Sequence, residues 1–185
     1  MKNLKIFILL TLFSGSAFAY ETAPYVAIQK LSEDIEIREY ETLVLAQVST
    51  IDKEDSAFRV LFKFISGGNE EKQEISMTTP VFQEYSGNKS TMSFVMPKNI
   101  NLKDLPNPQD DKIKFREMKN QQLIAIRFSG FRSEKNFTNN KNKLIAKIKE
   151  EKINADLENP IRATYNGPFT LPFLRRNEVL FHISK

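Results

Sequence analysis

The chain offers few side chains that could carry out a chemical reaction. It contains no cysteine and a single histidine, His182, so a thiol nucleophile and a zinc site built from several histidines are excluded. Sequence patterns for nucleophile elbows, phosphate-binding loops and dinucleotide binding are also missing. We find no catalytic constellation in the sequence and predict that the protein is not an enzyme.

Titratable residues near the end of the chain still need an interpretation. Glu178 follows Arg175 and Arg176 directly before an apolar segment. Because guanidinium groups bind carboxylates through paired hydrogen bonds, we predict an ion pair that ties the strand end; a ligand carboxylate is the alternative partner of one arginine. His182 lies in the apolar segment 179–183, where a structural or surface role is favoured over iron ligation.

A first helix is predicted from about residue 53 to residue 66, with Asp52 as its N-cap and Gly67-Gly68 as its stop. Apolar residues recur every three to four positions and give the helix a side that faces the core. That side consists of Ala57, Val60, Leu61 and Phe64. The polar stripe consists of Ser56, Arg59, Lys63 and Ser66.

Further apolar residues on this helix, Phe58, Phe62 and Ile65, widen its apolar arc to roughly 200°, whereas a surface helix needs about 100°. One interpretation is that loops cover the two phenylalanine rings. The other is that a flat apolar ligand lies across Phe58 and Phe62 while Arg59 or Lys63 meets its anionic edge. The second interpretation makes the candidate binding residues Phe58, Arg59, Phe62, Lys63 and Ile65.

The strands that accompany this helix are predicted from alternating apolar and polar residues. The pattern occurs at residues 35–40 and 43–48, and again in the same form at 113–118 and 123–126. Further strands are expected at residues 161–165 and 178–183. A second helix, at roughly residues 133–152, has a narrow apolar stripe and a charged remainder, which is typical of a scaffold helix.

These elements suggest an internal repeat. Aligning Arg38-Glu39 with Arg116-Glu117 gives halves of about 35–97 and 113–184, each running strand, helix and two more strands. The turn-rich linker at 105–111 is too short to separate independent domains. We therefore predict an α+β fold in which two halves form one twisted sheet or barrel with two flanking helices; chance similarity of the halves is the alternative.

The first nineteen residues are predicted to be a cleaved signal peptide. Lys2 and Lys5 precede an apolar run, and Ala17-Phe18-Ala19 fits a cleavage site; an uncleaved anchor is the alternative, although spanning a bilayer takes about 20 apolar residues. The remaining 166 residues, 20–185, suit one domain. Without Lys2 and Lys5 the net charge falls from +4 to +2, which does not favour nucleic acid as a partner. We expect an exported protein, periplasmic or secreted, with no membrane span after cleavage.

Two motifs between the predicted helices have ordinary structural interpretations. Met92, Phe94 and Met96 lie on one face of a strand, where core packing is favoured over a role as a weak axial ligand to iron. Thr78-Thr79-Pro80 is expected to end or bulge an edge strand, because proline has no N–H to donate.

Taken in order, several motifs resemble the SOUL haem-binding-protein family. They are Ile-Ser-Met-Thr-Thr-Pro-Val at 75–81, Met-Ser-Phe-Val-Met-Pro at 92–97, Phe-Ser-Gly at 128–130, Ala-Thr-Tyr-Asn at 163–166 and Arg-Arg-Asn-Glu-Val at 175–179. The resemblance covers about residues 25–181. It implies a twisted β-barrel with two flanking helices that binds haem or a related tetrapyrrole without catalysing a reaction.

The resemblance also implies where the haem lies, which is on an apolar surface of the first helix with basic residues nearby. Aligned on Gly67-Gly68, Phe58 and Phe62 stand where some members carry methionine, and Lys63 matches a basic position. Asp55 stands at a further basic position, for which Arg59 is the substitute. Without cysteine the haem would be held non-covalently, and no metal ligand is identified.

Three classes of function therefore stay open. The first is an exported carrier or buffer of haem or porphyrin. The second is a small-molecule effector-binding or hydrolase module, because the fold also resembles bacterial effector-binding domains; Glu178 in an apolar cleft would be its acid or base. The third is a protein-interaction module that uses the exposed apolar edge of the first helix.

Overall fold

The computed structural model describes residues 20–50 and 54–184. The predicted signal peptide and the predicted N-cap Asp52 lie outside the described residues. Within them, strands follow one another in the order β1 (Glu21–Thr22), β2 (Tyr25–Lys30), β3 (Ile35–Tyr40), β4 (Leu43–Thr50), β5 (Thr78–Thr79), β6 (Val81–Ser86), β7 (Lys89–Val95), β8 (Lys114–Met118), β9 (Gln121–Phe128), β10 (Ile161–Thr164) and β11 (Asn177–His182). Helix α1 (Glu54–Ile65) lies between β4 and β5, and helix α2 (Glu134–Glu150) lies between β9 and β10.

Most strands of the described residues join one curled sheet that forms a half-barrel. Its order is β2-β3-β9-β11-β10-β6-β7-β4-β8, and all its pairings are antiparallel. If β2 is left out, equivalent strands of the two halves occupy symmetric places in this order. β3 and β8 lie at its two ends, β9 and β4 come next, then β11 and β7, and β10 and β6 meet in the middle. The predicted α+β class, with two helices flanking a twisted sheet, is confirmed. The sequence repeat itself stays a prediction.

Alternation along the strands gives the sheet two apolar faces. One cluster of buried side chains joins Tyr40 of β3 to Met118 of β8, although these strands lie near opposite ends of the sheet, so this face is the inside of the half-barrel. On β4, Leu43 and Leu45 belong to that inner cluster, whereas Val44 and its alternate neighbours face the other way, under α1. Both faces of the sheet therefore carry buried clusters, whereas β2 is largely exposed.

Helix α2 packs on the outer face by the narrow stripe that the sequence predicts. Phe137, Leu144 and Ile148 are buried against β9 and β11. Ser133 caps the N-terminus of the helix by accepting a hydrogen bond from the Asn136 amide. Ile145 packs partly buried beside them, and the rest of the helix is mainly lysine, asparagine and glutamate, as expected of a scaffold helix.

The Thr-Thr-Pro motif ends a short strand at the edge of a two-stranded sheet, as predicted. Thr78 and Thr79 form β5, which pairs in parallel with β1, and Pro80 stands between β5 and β6. The whole sheet and both helices lie between residues 20 and 184. No helix of the described residues is long and apolar enough to cross a membrane.

Candidate functional site

Helix α1 begins near the predicted position and ends where its glycines predict. Ala57, Leu61 and Phe64 are buried against the sheet, which confirms the core-facing side. After the last turn Gly67 adopts φ +90°, and the Gly68 amide donates to the Lys63 carbonyl over 2.8 Å. A Cβ at Gly68 would lie 2.6 Å from that carbonyl oxygen, so the helix stop requires a residue without a side chain there.

The outer edge of α1 presents two phenylalanine rings to solvent. Phe58 is 40% exposed and Phe62 is 50% exposed, so the interpretation that loops cover these rings is wrong. The two rings stack with centroids 6.0 Å apart and planes 10° apart, while Phe58 meets the edge of the buried Phe94 ring of β7 at 5.3 Å. Their spacing of four residues aligns the rings along the helix, and packing on Phe94 holds the first of them in place.

Two cationic side chains lie along one side of this aromatic pair. Arg59 and Lys63 are exposed and lie one position after Phe58 and Phe62, so they form the neighbouring ridge of the helix. Lys63 also borders a surface cavity of about 560 Å³ towards Asp110 and Asp111. An apolar surface edged by two cations suits a flat apolar ligand with anionic groups.

Ile65 does not join this surface. Its side chain is 4% exposed and packs in the cluster under α1 with Leu61 and Phe64. The helical wheel placed Ile65 at the edge of the apolar arc, but the chain after the helix returns beside it, with the Ile75 amide donating to the Ile65 carbonyl over 2.8 Å. The exposed set is therefore Phe58, Arg59, Phe62 and Lys63.

Inside the half-barrel, Glu178 is the centre of a buried ionic cluster. Its carboxylate is 0% exposed and accepts two hydrogen bonds from the Arg38 guanidinium, over 2.6 and 2.9 Å. Arg176 Nε donates to it over 2.8 Å, and the Tyr165 hydroxyl over 2.8 Å. The Arg38 guanidinium also lies 4.2 Å from the ring centroid of Tyr25, and that of Arg176 lies 3.9 Å from the ring centroid of Tyr165.

The cluster holds its carboxylate ionised. Burial alone would raise the pKa of Glu178, but the hydrogen bonds and positive charge of Arg38, together with the charge of Arg176, bring it below its ordinary value. Burial, followed by the negative charge of Glu178, raises the pKa of Tyr165 well above the ordinary value for tyrosine. Glu178 is therefore a paired anion among donors, which is the opposite of an unpaired carboxyl poised for acid or base catalysis.

The predicted ion pair at the start of the last strand is confirmed for Arg176, which binds Glu178. Arg175 has a different role. Its guanidinium donates to the carbonyls of Thr170 and Pro168, each over 2.7 Å, and so fixes the loop before β11. The alternative in which an arginine of this pair awaits a ligand carboxylate has no support at Arg176.

The candidate iron ligands are not part of the exposed surface of α1. Met92 and Met96 are buried in the core, which confirms their predicted packing role. His182 is half-buried at the end of β11; burial lowers its pKa, with a smaller contribution from Arg116 and opposition from Glu84 and Asp156. Among the described residues there is no group of three or more side chains suited to hold a metal ion.

Sequence reasoning missed most of the ionic cluster around Glu178. Arg38 stands 140 residues before Glu178 and reaches it because β3 and β11 both pair with β9. One signal was available: Arg38 and Tyr40 alternate with Ile35 and Ile37 along β3, so the alternation places an arginine on a buried face. A buried arginine requires an anionic partner.

The chain is thus an α+β half-barrel with two outer helices, and α1 exposes an aromatic surface edged by cations. The chain belongs to the SOUL family, because the model of that family, described as SOUL heme-binding protein, matches residues 20–182. No curated protein sequence matches the chain significantly.

Solved structures share the fold at low sequence identity. The C-terminal domain of EcmrR aligns with a TM-score of 0.60 at 12% identity, covering 82% of this chain and 97% of that one. A hydrolase encoded by lin2189 from Listeria innocua aligns with a TM-score of 0.58 at 10% identity, covering 83% and 93%. SAV2435, solved bound to tetraphenylphosphonium, aligns with a TM-score of 0.51 at 8% identity, covering 82% and 94%. At such identities these similarities establish the fold alone.

Proposed function

We propose that this protein binds haem or a related tetrapyrrole non-covalently on the outer surface of α1, as an exported carrier or buffer and not as an enzyme. The observation that supports the proposal is the exposed, stacked pair of Phe58 and Phe62 beside Arg59 and Lys63. Membership of a heme-binding family supports the ligand class.

The chemistry of these residues fits a porphyrin. A porphyrin has a broad apolar face, and covering the rings of Phe58 and Phe62 with it removes apolar surface from water at about 25 cal/mol per Å² before association costs. Its carboxylate substituents are anionic, and Arg59 and Lys63 supply cations along the adjacent ridge. Iron ligation is not part of the proposal, because the interaction relies on the macrocycle and its carboxylates.

The competing classes receive less support. A hydrolase needs an accessible acid or base, whereas Glu178 is buried and bound by Arg38, Arg176 and Tyr165. A module that only binds another protein would explain the exposed rings but not the match to a heme-binding family. No described contact favours either over the tetrapyrrole.

The proposal is tested by titrating haemin into the chain from Tyr20 to Lys185, which contains every described element, and following the Soret band. We expect saturable binding that a Phe58→Asp, Phe62→Asp variant weakens at least tenfold, because the variant no longer offers the two apolar rings that the porphyrin would cover. A matched variant, Val26→Asp with Ile28→Asp, alters two exposed apolar side chains of β2 and should bind like the wild type.

Each outcome of the titration is decisive. Saturation that persists in the α1 variant would move the site elsewhere on the protein. An absent Soret shift with haemin and with iron-free protoporphyrin would reject tetrapyrrole binding. Thermal unfolding of all three proteins shows whether a loss of binding is a loss of fold.

A further inference from the structure

The loops at one end of the sheet expose a second apolar surface, which has no part in the proposed haem site. We call it the loop patch; it consists of Phe131, Phe169, Leu171, Phe173 and Leu174. Phe169 is 98% exposed and Phe173 is 69% exposed. Five large apolar side chains held in solvent within two adjoining loops exceed the scattered exposure that is normal for a protein surface.

The loop patch is built on an ordered backbone. Arg175 donates to the carbonyls of Thr170 and Pro168, each over 2.7 Å. The Leu174 amide bonds the Leu171 carbonyl over 2.9 Å in a short 3-10 turn. The Gly130 amide bonds the Pro172 carbonyl over 2.8 Å, which joins the loop that carries Phe131 to the loop that carries the other four residues. These hydrogen bonds hold the apolar side chains outward.

The shape of the loop patch favours a fluid apolar phase over a rigid pocket-forming partner. A ring that is 98% exposed touches almost nothing of its own protein, so Phe169 projects from the surface and lines no groove. Projecting phenylalanine and leucine side chains can enter the boundary between lipid headgroups and acyl chains without a complementary cavity.

The charge around the loop patch adds a preference for anionic lipid. No aspartate or glutamate occurs from residue 159 to residue 177, nor from residue 128 to residue 133. Arg132 and Lys135, next to Phe131 along the chain, are exposed. Glu134, which stands between them, binds Arg162. Cations behind an apolar tip can meet lipid phosphates when the tip is inserted.

We propose that the loop patch docks the protein on the surface of an anionic lipid bilayer. The inserted side chains are Phe169, Leu171, Phe173 and Leu174, with Phe131 beside them, while Arg132 and Lys135 contact the headgroups. This proposal does not rest on haem binding. The proposal does bear on haem binding, because the sheet connects the loop patch to α1. Thr164, just before the loop that carries Phe169, pairs with Val81, and Val81 pairs with Phe94. The Phe94 ring contacts Phe58 of α1. Docking would therefore hold α1 near the same bilayer.

Because the chain contains no tryptophan, a single introduced indole reports on one position. We would place it at the loop patch, as Phe169→Trp, and at an exposed position of β2, as Val26→Trp, in the chain from Tyr20 to Lys185. Vesicles of phosphatidylcholine with a minority of phosphatidylglycerol should shift the emission of the first protein to shorter wavelength and leave the second unchanged.

Flotation with the same vesicles tests which side chains bind. Phe169→Ser with Phe173→Ser should raise the lipid concentration for half-binding about tenfold or more, whereas Val26→Ser with Ile28→Ser should not change it. Arg132→Gln with Lys135→Gln should weaken binding to the anionic vesicles and reduce its salt dependence, with no effect on vesicles of phosphatidylcholine alone.

Several results would overturn membrane docking by this surface. They are an absent shift for Phe169→Trp, an equal shift for Val26→Trp, or unchanged flotation of the serine variant of the loop patch. A shift that appears without vesicles as protein concentration rises would assign the patch to self-association instead. Equal binding to vesicles with and without phosphatidylglycerol would reject the anionic preference. Haemin titration of the serine variant runs independently, so failure of docking and failure of haem binding are separate outcomes.

Discussion

The inside of the half-barrel and the outer surface of α1 both combine cationic side chains with aromatic residues. Inside, Arg38 and Arg176 lie against tyrosine rings, and the Glu178 carboxylate between them accepts hydrogen bonds from both. Outside, Phe58 and Phe62 are open to solvent beside exposed cations. Residues of similar type are thus buried and paired with one another inside the half-barrel but exposed to solvent on α1.

The difference teaches which region can bind a ligand. A buried charge costs several kcal/mol unless it is paired, so the interior cluster exists only because its members satisfy one another. Exposed aromatic rings already contact water, and a ligand that covers them gains free energy. The interior cluster should therefore affect stability, and the α1 surface should affect binding.

The largest effect is expected at Glu178. Glu178→Gln removes the carboxylate that Arg38 and Arg176 both bind and leaves the buried Arg38 guanidinium with Glu36, at 2.6 Å, as its remaining anionic partner. The free energy of unfolding should fall by about 3–5 kcal/mol. Urea unfolding measures it. Glu150→Gln, an exposed residue of α2 that pairs with Lys147, is the control and should change nothing measurable. If the Glu178 variant is as stable as the wild type, the interior cluster does not stabilise the fold and its contrast with the α1 surface fails.

A smaller loss is expected at Tyr165. Tyr165→Phe removes one of the hydrogen bonds to the ionised Glu178 carboxylate but keeps the ring under Arg176. The free energy of unfolding should therefore fall by about 1.5–3 kcal/mol. Urea unfolding beside Tyr20→Phe, at an exposed tyrosine, provides the reference. A loss as large as that of Glu178→Gln would mean that Tyr165 holds other parts of the cluster in place.

The pH dependence of stability should follow the interior groups. Glu178 and His182 both have a pKa below the ordinary values of 4.5 and 6.5, so the unfolded chain binds more protons and stability falls as pH falls. The His182 contribution is complete above about pH 6.5 and is lost as pH falls through its lower folded pKa; the Glu178 contribution follows the same course below about pH 4.5.

Urea unfolding from about pH 8 to about pH 3 measures this dependence. His182→Gln should flatten the part of the curve just below pH 6.5 and leave the more acidic part unchanged. Stability that rises as pH falls through this range would contradict the depressed pKa of both groups.

The smallest effect is expected at the α1 cations. Arg59→Gln and Lys63→Gln should each weaken haemin binding about threefold, because exposed ion pairs contribute little, and added salt should reduce the difference. Lys143→Gln and Lys149→Gln on α2 are the matched control. If the α2 substitutions weaken binding equally, the cations act through net charge and not by position on α1.

Both helices and most strands of the described residues were predictable because their signals are local; β1 and β2 were not predicted. Glycine after α1, serine before α2 and the alternation in β3 and β4 act within a few residues, and the observed bounds agree within one or two positions in most cases. The position of Ile65 was not predictable, since its burial depends on the chain returning to residue 75.

The sequence by itself determined the fold class, the family motifs and the pairing of phenylalanine with cations on α1, because periodicity and spacing are properties of neighbouring residues. Only the tertiary structure decided that Phe58 and Phe62 are exposed to solvent. It also decided that Glu178 is buried and bound by Arg38, Arg176 and Tyr165. Whether a side chain meets solvent, a ligand or a counter-charge depends on segments far apart in the chain, such as β3 and β11, which the sheet brings together.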